Sequence, residues 1–465
     1  MIPVLLLLLA AEPDPEILRL VKHFTDAFHA VEQNYADPVL PEQAFYSGAI
    51  PGLLRSLDPF SAFLDPEQFR SFQDMQQSVE KGFGSVVSLS PGRIVILQTL
   101  PGTPSARSGL AAGDEIVEVN GYRTGRLELE QLIELLRQSR RQQAYLRIRR
   151  PGVATLMTFT LVPAEVASPS VSRAFFLRPG IGYIKIDSFE DNTPKEFQQA
   201  LDKLEAPKLR GLVLDLRDNP GGALPAALDV AATFLPAGRL LLTVRARAGK
   251  PEEIKIPEGG KPLTVALAVL VNGKSASASE IVAGALQDHK RAAIVGEPTF
   301  GKGLVQRVFP LSEGAGLALT TAYYFTPSGR SIQKPLAELQ YSVPVGGGIT
   351  PDQIVTLDGL TPLRAALEGS SSFLAFAQNL IAQRGALPAD FDVTAPLLDD
   401  FQQFLSERQI RPSLSEWSAN RDWIRIRLKT EIYNLAFGVA KGDEIDAERD
   451  AQILRAIRAL LPRQE

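Results

Sequence analysis

The sequence predicts a multidomain α+β protein with four successive regions: a helical N-terminal unit, a small β-rich domain, an α/β core and a helical C-terminal extension. The chain has 465 residues, which is enough for three or four compact domains. Apolar residues make up 45% and charged residues 22% of it, values typical of a folded globular protein. The hydrophobic periodicity changes along the chain from helical to alternating, then to mixed, and back to helical.

The composition also restricts the chemistry and the partners. The 49 basic and 53 acidic side chains give a net charge of −4, so no basic surplus favours nucleic acid as a partner. With no cysteine, the chain has no thiol nucleophile, disulfide or thiolate metal site. The histidines, His23, His29 and His289, have no metal-ligand spacing, and we expect neither a metal ion nor a cofactor.

The first segment, residues 1–11, resembles the end of a secretory signal. An apolar run from Val4 to Leu9 is followed by Ala10 and Ala11 and then by acidic, proline-rich sequence. The run is too short to span a bilayer. It predicts export, and therefore a periplasmic or secreted protein of the cell envelope, with a frayed apolar N-terminus of a cytoplasmic protein as the alternative.

The predicted boundaries of the other regions follow the changes in periodicity. Residues 14–80 combine helix-spaced apolar positions with two Asp-Pro pairs and form the helical N-terminal domain. Residues 82–163 show short alternating runs separated by glycine turns, with one helix over residues 127–137. Residues 170–355 alternate apolar strands with amphipathic helices, as βαβ units do. Residues 360–465 return to helical spacing.

The β-rich region resembles a PDZ domain. A glycine loop, made of Gly82, Phe83, Gly84 and Ser85, precedes a strand, and the stretch PGTPSARSGLAAGDEIVEVNG follows. In this fold the backbone N–H groups of such a loop hold the terminal carboxylate of a peptide, which adds a strand to the sheet edge. The resemblance implies that these four residues bind a free C-terminus.

The chemistry is expected in the α/β core, within NGKSASASEIVAGALQDHKRAAIVGEPTFGKGLVQ (residues 272–306). A strand that ends at Val271 leads through small residues to a helix from about Ala278, so Ser277 lies at a helix N-terminus. Its spacing to Glu280 is that of a capping box, and capping alone explains that spacing. The same position offers unpaired backbone donors and a positive dipole end to an oxyanion, so the geometry also allows a nucleophile.

A nucleophilic serine needs a base. None of the three histidines lies near a glycine-rich serine elbow, which argues against a Ser-His-Asp triad. The candidate is Lys302, in TFGKG, which as a general base must be neutral, with a pKa lowered from about 10.4 to about 7–8. Burial without a carboxylate partner has this effect, and Gln306 on the following strand is placed to orient the amine. Spacing alone leaves a solvated surface lysine as the alternative.

With VLDLRDNPGG upstream, YYFTPSGRSIQ downstream and SLDPFSAFLDPEQF near the N-terminus, the stretch resembles the carboxyl-terminal processing peptidases, also called tail-specific proteases. The likeness covers residues 14–355. It implies a secreted or periplasmic serine endopeptidase with a Ser-Lys catalytic pair, a PDZ domain and an α/β spiral core related to the crotonase fold. By position, Ser277 is the implied nucleophile, Lys302 the general base and Gln306 the residue that orients the lysine.

The resemblance further implies an oxyanion hole, formed by the backbone N–H of Ala278 together with that of Gly221 or Gly222. Other positions are assigned supporting roles: Ser275 and Ser279 as small linker and helix-turn residues, Glu280 and Thr299 as capping and hydrogen-bonding groups, and Asp215 with Arg217 as a structural pair.

The helical extension, residues 360–465, departs from the commoner form of the family, and docking on the core, an oligomer interface and adaptor binding all stay open for it. The implied partners are protein or peptide substrates with free C-termini. Two other classes of protein are weighed against this one. An inactive PDZ scaffold would be expected to have lost Ser277, Lys302 or Gln306, and a trypsin-like protease would need an oriented histidine.

Overall fold

The computed structural model describes residues 14–77, 81–140, 142–166, 169–259, 261–334, 347–356 and 359–460. The segment predicted to be a signal, residues 1–11, lies outside these ranges. The contacts divide the chain into two units. Unit 1 comprises Met1–Met75 with Gln306–Thr321, and unit 2 comprises Gln76–Val305 with Ala322–Glu465.

The elements of the described ranges are numbered in chain order. The strands are β1 (Ala62–Leu64), β2 (Lys81–Gly82), β3 (Ser85–Ser90), β4 (Arg93–Thr99), β5 (Glu115–Val119), β6 (Tyr122–Arg123), β7 (Ala144–Arg149), β8 (Met157–Leu161), β9 (Ala164–Glu165), β10 (Val171–Arg178), β11 (Ile181–Ile186), β12 (Gly211–Asp215), β13 (Leu240–Ala246), β14 (Glu252–Lys255), β15 (Ala266–Val271), β16 (Ala293–Gly296), β17 (Leu304–Pro310), β18 (Gly316–Phe325) and β19 (Gln353–Ile354). The α-helices are α1 (Pro15–Asn34), α2 (Ile50–Arg55), α3 (Pro66–Gln77), α4 (Pro104–Ser108), α5 (Leu129–Ser139), α6 (Thr193–Lys203), α7 (Leu224–Ala232), α8 (Ala278–Asp288), α9 (Pro362–Gly369), α10 (Ser372–Arg384), α11 (Ala395–Glu407), α12 (Leu414–Phe437), α13 (Val439–Asp446) and α14 (Ala451–Leu460). None of the helices in these ranges is both long and apolar enough to cross a membrane.

Unit 1 contains a short strand among its helices. Strand β1 pairs antiparallel with β18, with Ala62 opposite Ala318. The Asp58 carboxylate ends the preceding helical segment, because its Oδ1 accepts hydrogen bonds from the backbone N–H groups of Phe60 and Ser61 at 2.7 Å each. The periodicity of residues 14–80 predicts helices alone, and β1 differs from this prediction because it forms by long-range pairing with β18.

In unit 2, the region that resembles a PDZ domain forms a sheet with the strand order β3-β4-β5-β7-β8, and β6 pairs with β5. Its apolar core includes Ile94, Ile116, Leu132 and Ile148. Leu132 belongs to α5, which is the predicted helix displaced by two residues. Strand β3 pairs with β4 alone and therefore forms one edge of this sheet.

The core of unit 2 is a second sheet, with the order β10-β11-β12-β15-β16-β19. The β10-β11 pair is antiparallel and the remaining pairs are parallel. Strand β12, GLVLD, is buried at every residue, because a parallel strand covered on both faces carries apolar side chains continuously. Leu212 and Leu214 pack with helices α6, α7 and α8 on one face, whereas Val213 points to the other.

The face of the sheet opposite α8 is covered by the last helix of the chain. Ile453, Ile457 and Leu460 of α14 pack with Val213 of β12 and Leu270 of β15. Of the roles that the sequence leaves open for the extension, docking on the core is the one that α14 takes, and it gives the sheet helices on both faces.

The rest of the extension has an apolar core of its own. Helices α9 to α12 contribute to it, and Phe373, Phe401, Leu428 and Ile432 are each almost completely buried. The apolar positions predicted at helical spacing on α12 therefore face this core. The extension thus contains a helical cluster, to which α9 to α12 contribute, and a last helix, α14, that packs on the central sheet.

The packing of α14 predicts that its substitution destabilises the core of unit 2. Ile457 is 4% exposed, and Ile457→Ala should lower the free energy of unfolding by about 2–5 kcal/mol through lost burial and a cavity. Arg458→Ala, on the exposed side of the same helix, should change it by no more than about 0.5 kcal/mol. Urea unfolding followed by circular dichroism measures both, and equal values for the two variants would contradict the assignment of α14 to the core.

Candidate active site

Ser277 occupies the sharp turn between β15 and α8. It is the N-cap of α8, and its backbone angles are φ 54° and ψ −115°. A non-glycine residue rarely adopts a positive φ, and such strain persists only where the surroundings hold the residue in place. The serine is half-buried, and the next residue, Ala278, begins the helix.

The carboxylate of Glu280, in the first turn of α8, holds the serine turn in place. Its side chain is 0% exposed, and its Oε2 accepts hydrogen bonds from the backbone N–H of Ser277 at 2.8 Å and of Lys302 at 2.9 Å. Its Oε1 accepts from the Thr299 hydroxyl at 2.5 Å and from the Gly301 N–H at 2.7 Å. One buried carboxylate therefore binds the backbones of the predicted nucleophile and of the predicted base.

Burial raises the pKa of Glu280, because it disfavours the charged form. The four donors act in the opposite direction, since each favours the ionised carboxylate that accepts its hydrogen bond. Thr299 extends this arrangement, because its hydroxyl oxygen accepts from the Ile349 N–H at 2.6 Å. The capping and hydrogen-bonding roles expected for Glu280 and Thr299 are therefore present, and they reach beyond the helix to the lysine loop.

The lysine loop also contacts the serine turn directly, since the Phe300 N–H donates to the Ser275 carbonyl at 3.0 Å. The glycines beside Lys302 lie close to a further segment of the chain, residues 332–334. A Cβ atom on Gly303 would lie 2.5 Å from the backbone nitrogen of Gln333, and one on Gly301 would lie 2.5 Å from the Lys334 side chain. The glycines therefore allow residues 332–334 to approach the loop.

The loop after β12 lies against the serine turn. A Cβ atom on Gly221 would lie 2.8 Å from the Cβ of Ser277, and one on Gly222 would lie 2.1 Å from the Phe189 carbonyl oxygen, so neither position accommodates a side chain. The Gly221 N–H donates to the Asn219 side-chain oxygen at 2.8 Å. No residue that the structure describes accepts a hydrogen bond from the N–H of Gly222 or of Ala278.

Asn219 has a role in the site that the sequence alone does not predict. Its side-chain amide donates to the Ile186 carbonyl at 2.9 Å, and its own carbonyl accepts from the Ala276 N–H at 3.0 Å. It therefore fixes the glycine loop to β11 and to the serine turn. The available signal was the Asn-Pro-Gly-Gly sequence, because asparagine side chains commonly bond to the backbone of their own turn.

The rival serines are buried and use their hydroxyl groups for structure. Ser275 donates to the Leu216 carbonyl at 2.7 Å, and Ser279 donates to the Asn219 carbonyl at 3.1 Å. His289 caps the far end of α8, where its Nε2 bonds to the Leu240 carbonyl at 2.7 Å. His289 lies twelve residues after Ser277, which corresponds to about 18 Å along the helix axis.

Asp215 and Arg217 form a buried ion pair at 2.6 Å, as predicted. Burial would raise the pKa of Asp215, but the guanidinium of Arg217 outweighs it and lowers that pKa. Arg217 also donates to Asp450 at 2.7 Å and to Gln452 at 2.9 Å. The pair therefore connects the end of β12 to the start of α14.

The remaining predicted residues belong to different units. In unit 1, the Gln306 side chain donates to the Phe60 carbonyl at 2.8 Å, and its predicted role in orienting the lysine stays a prediction. In unit 2, Gly82 ends β2 and Ser85 begins β3. Between them, no described residue accepts a hydrogen bond from the N–H of Phe83 or Gly84, which leaves two donors for an anion.

The Glu280 arrangement predicts that Glu280→Gln is strongly destabilising. An amide offers one acceptor oxygen in place of two, so either rotamer leaves two buried N–H or O–H donors without a partner. Each unpaired buried donor costs about 1–3 kcal/mol. With two of them, we expect the free energy of unfolding to fall by at least about 2 kcal/mol. Chemical denaturation measures the change. Glu258→Gln, at an exposed position, is the matched control, and a Glu280→Gln variant as stable as that control would refute the role of the carboxylate.

Comparisons with known proteins identify the family of this chain. The family model described as peptidase family S41 matches residues 180–355, and that of the PDZ domain matches residues 95–150. A carboxy-terminal-processing protease of Bartonella bacilliformis is 36% identical over 71% of this chain and 74% of its own length. A carboxyl-terminal-processing protease of a Synechocystis species is 38% identical over 66% and 70%. A solved photosystem II D1 C-terminal processing protease is 30% identical, covers 72% of this chain and 92% of its own, and gives a TM-score of 0.44. The chain therefore belongs to the carboxyl-terminal processing proteases of peptidase family S41, a family of serine peptidases, and it carries the PDZ domain that its sequence predicts.

Proposed function

We propose that this protein is an endopeptidase that uses Ser277 as nucleophile and Lys302 as general base, and that its PDZ domain recognises the C-terminus of the substrate. The observation that carries the proposal is the hydrogen bonding of both residues' backbones to one oxygen of Glu280. The strained backbone of Ser277 supports it further, because such strain concentrates at functional sites.

In the proposed acylation step, the neutral amine of Lys302 takes the hydroxyl proton of Ser277. The Oγ atom attacks the carbonyl carbon of the substrate peptide bond, and the negative charge moves to the carbonyl oxygen. The C–N bond then breaks, and the lysine returns the proton to the leaving amine. The product of this step is an ester between the N-terminal part of the substrate and Ser277.

Two backbone donors are assigned to the oxyanion. The N–H of Ala278 lies at the N-terminus of α8, where the helix dipole favours negative charge. We assign the second donor to Gly222 rather than Gly221, because the Gly221 N–H already donates to Asn219. Water then attacks the ester, with the amine as base, and releases the acid product and the free serine.

The proposed substrates are proteins or peptides with a free C-terminus. The N–H groups of Phe83 and Gly84 are the donors that would hold the terminal carboxylate, and the free edge of β3 would pair with the peptide backbone. We assign the protein to the periplasm or another part of the cell envelope because of the apolar run from Val4 to Leu9. Cell fractionation tests this location.

The proposed pair predicts that Ser277→Ala and Lys302→Arg each abolish cleavage of a tagged protein substrate. The first removes the attacking oxygen, and the second replaces the amine by a guanidinium, which does not deprotonate in the working pH range. Lys302→Arg should therefore be as inactive as Lys302→Ala. Gel analysis of product formation over time measures all three variants.

Two control variants make the same kinds of substitution at residues outside the proposed pair. Ser279→Ala removes a rival hydroxyl, and Lys274→Arg makes the same lysine-to-arginine change at a side chain that is 80% exposed. Both should keep substantial activity. An active Lys302→Arg enzyme would show that Lys302 is not the general base. Activity that is lost in Ser279→Ala but kept in Ser277→Ala would show that Ser279 is the nucleophile.

The proposed recognition of a free C-terminus predicts that amidation of the substrate weakens binding. A charge-assisted hydrogen bond contributes about 1.5–3 kcal/mol, so removal of the terminal charge should lower affinity by about ten- to a hundredfold. Binding of matched free-acid and amidated peptides to the Ser277→Ala protein measures this. Equal affinities would show that the loop of Gly82 to Ser85 is not a carboxylate site.

A further inference from the structure

The groove of the PDZ domain is not lined by the PDZ domain alone. A cavity of about 500 Å³ extends from the loop of Gly82 to Ser85 along β3 and towards α5. Arg173 of β10 also lines it, and so do Val439 and Ala440, the first two residues of α13. One side of the groove is therefore built from the C-terminal extension, because α13 begins 268 residues after the start of β10.

The chemistry of the cavity suits the end of a polypeptide. Its interior is apolar, with Leu100, Leu110, Leu136, Leu146 and Leu161 among the lining residues. Its charged lining side chains are three cations, Lys81, Arg140 and Arg173, and one carboxylate, Asp187, and Arg173 is paired with Asp443. Positive charge beside two N–H donors is complementary to a terminal carboxylate, and the apolar interior is complementary to the last side chains of a peptide.

The extension is fixed to the PDZ domain by side-chain hydrogen bonds. The N–H of Val439 donates to the Gln98 side chain of β4 at 3.1 Å. Gln378 of α10 is buried, and its amide accepts from Arg93 at 2.6 Å and donates to the Gly113 carbonyl at 2.8 Å. Both ends of this amide are therefore satisfied by the PDZ domain, which defines the position of the extension against it.

A second set of contacts fixes α13 to the protease core. Asp443 of α13 pairs with Arg173 of β10. Asp450, at the start of α14, binds Arg217 at 2.7 Å, and α14 packs on the central sheet. The first turn of α13 is thus held between the PDZ domain and the core, with Val439 half-buried and Ala440 exposed to the groove.

We propose that the first turn of α13, Val439 and Ala440, forms a third wall of the peptide groove, in addition to β3 and α5. In this position it contacts the C-terminal segment of the substrate. This inference rests on the proposed recognition of substrate C-termini by the PDZ domain. With this contact, the extension would help to determine which C-termini bind, in addition to covering one face of the central sheet with α14.

The test is peptide binding to the full-length Ser277→Ala protein, which does not consume the ligand. The probe is a fluorescent peptide with an apolar last residue and a free carboxylate, followed by anisotropy. Ala440→Trp should lower its affinity at least tenfold, because the indole would fill the groove, and Ala440→Leu should give a smaller loss. Ala419→Trp makes the same change at an exposed position of α12 and should leave the affinity within twofold.

Thermal unfolding verifies that the tryptophan variants remain folded, and Ala440→Leu keeps the test decisive if Ala440→Trp does not fold. Unchanged affinity in both Ala440 variants, with the free-acid peptide still preferred over its amide, would overturn the third wall and leave the proposed function standing. If the parent protein binds the acid and the amide equally, the carboxylate recognition fails, and the inference fails with it.

Discussion

The organisation of the site depends on one buried carboxylate. Glu280 lies one helical turn after Ser277 and accepts four hydrogen bonds, from the serine turn, from the lysine loop and from Thr299. In a low-dielectric interior each bond is strong, and the loss of any partner is costly. The strained turn at Ser277 and the loop at Lys302 are both fixed relative to α8 because they share this acceptor.

The glycine loop after β12 adds a second constraint on the same turn. Gly221 lies so close to the Cβ of Ser277 that no side chain fits, and Asn219 binds the loop to β11 on one side and to Ala276 on the other. Backbone donors placed in this way need no rearrangement when charge develops on a substrate, which is the property that electrostatic catalysis requires.

The C-terminal extension connects these local features to the rest of unit 2. Its last helix covers the sheet that contains β12 and β15, and Asp450 binds the Arg217 that is paired with Asp215. Its earlier helices bind the PDZ domain through Gln378 and Ser371, the latter bonded to Ser90 at 2.9 Å. The extension is therefore part of the core and lines the cavity beside β3.

The sequence by itself determined the order of the regions, the PDZ resemblance and the positions of Ser277, Lys302 and Glu280. These are local properties: a strand, a capping spacing, a glycine-flanked lysine and turn-forming motifs are each contained in a few consecutive residues. Only the tertiary structure decided the partners that lie far apart in the chain. The bonds of Glu280 to the lysine loop, the pairing of β1 with β18, the packing of α14 on the sheet and the place of Ala440 beside the groove join residues 19 or more positions apart. Periodicity identifies which face of an element is apolar, but it does not identify the element that covers that face.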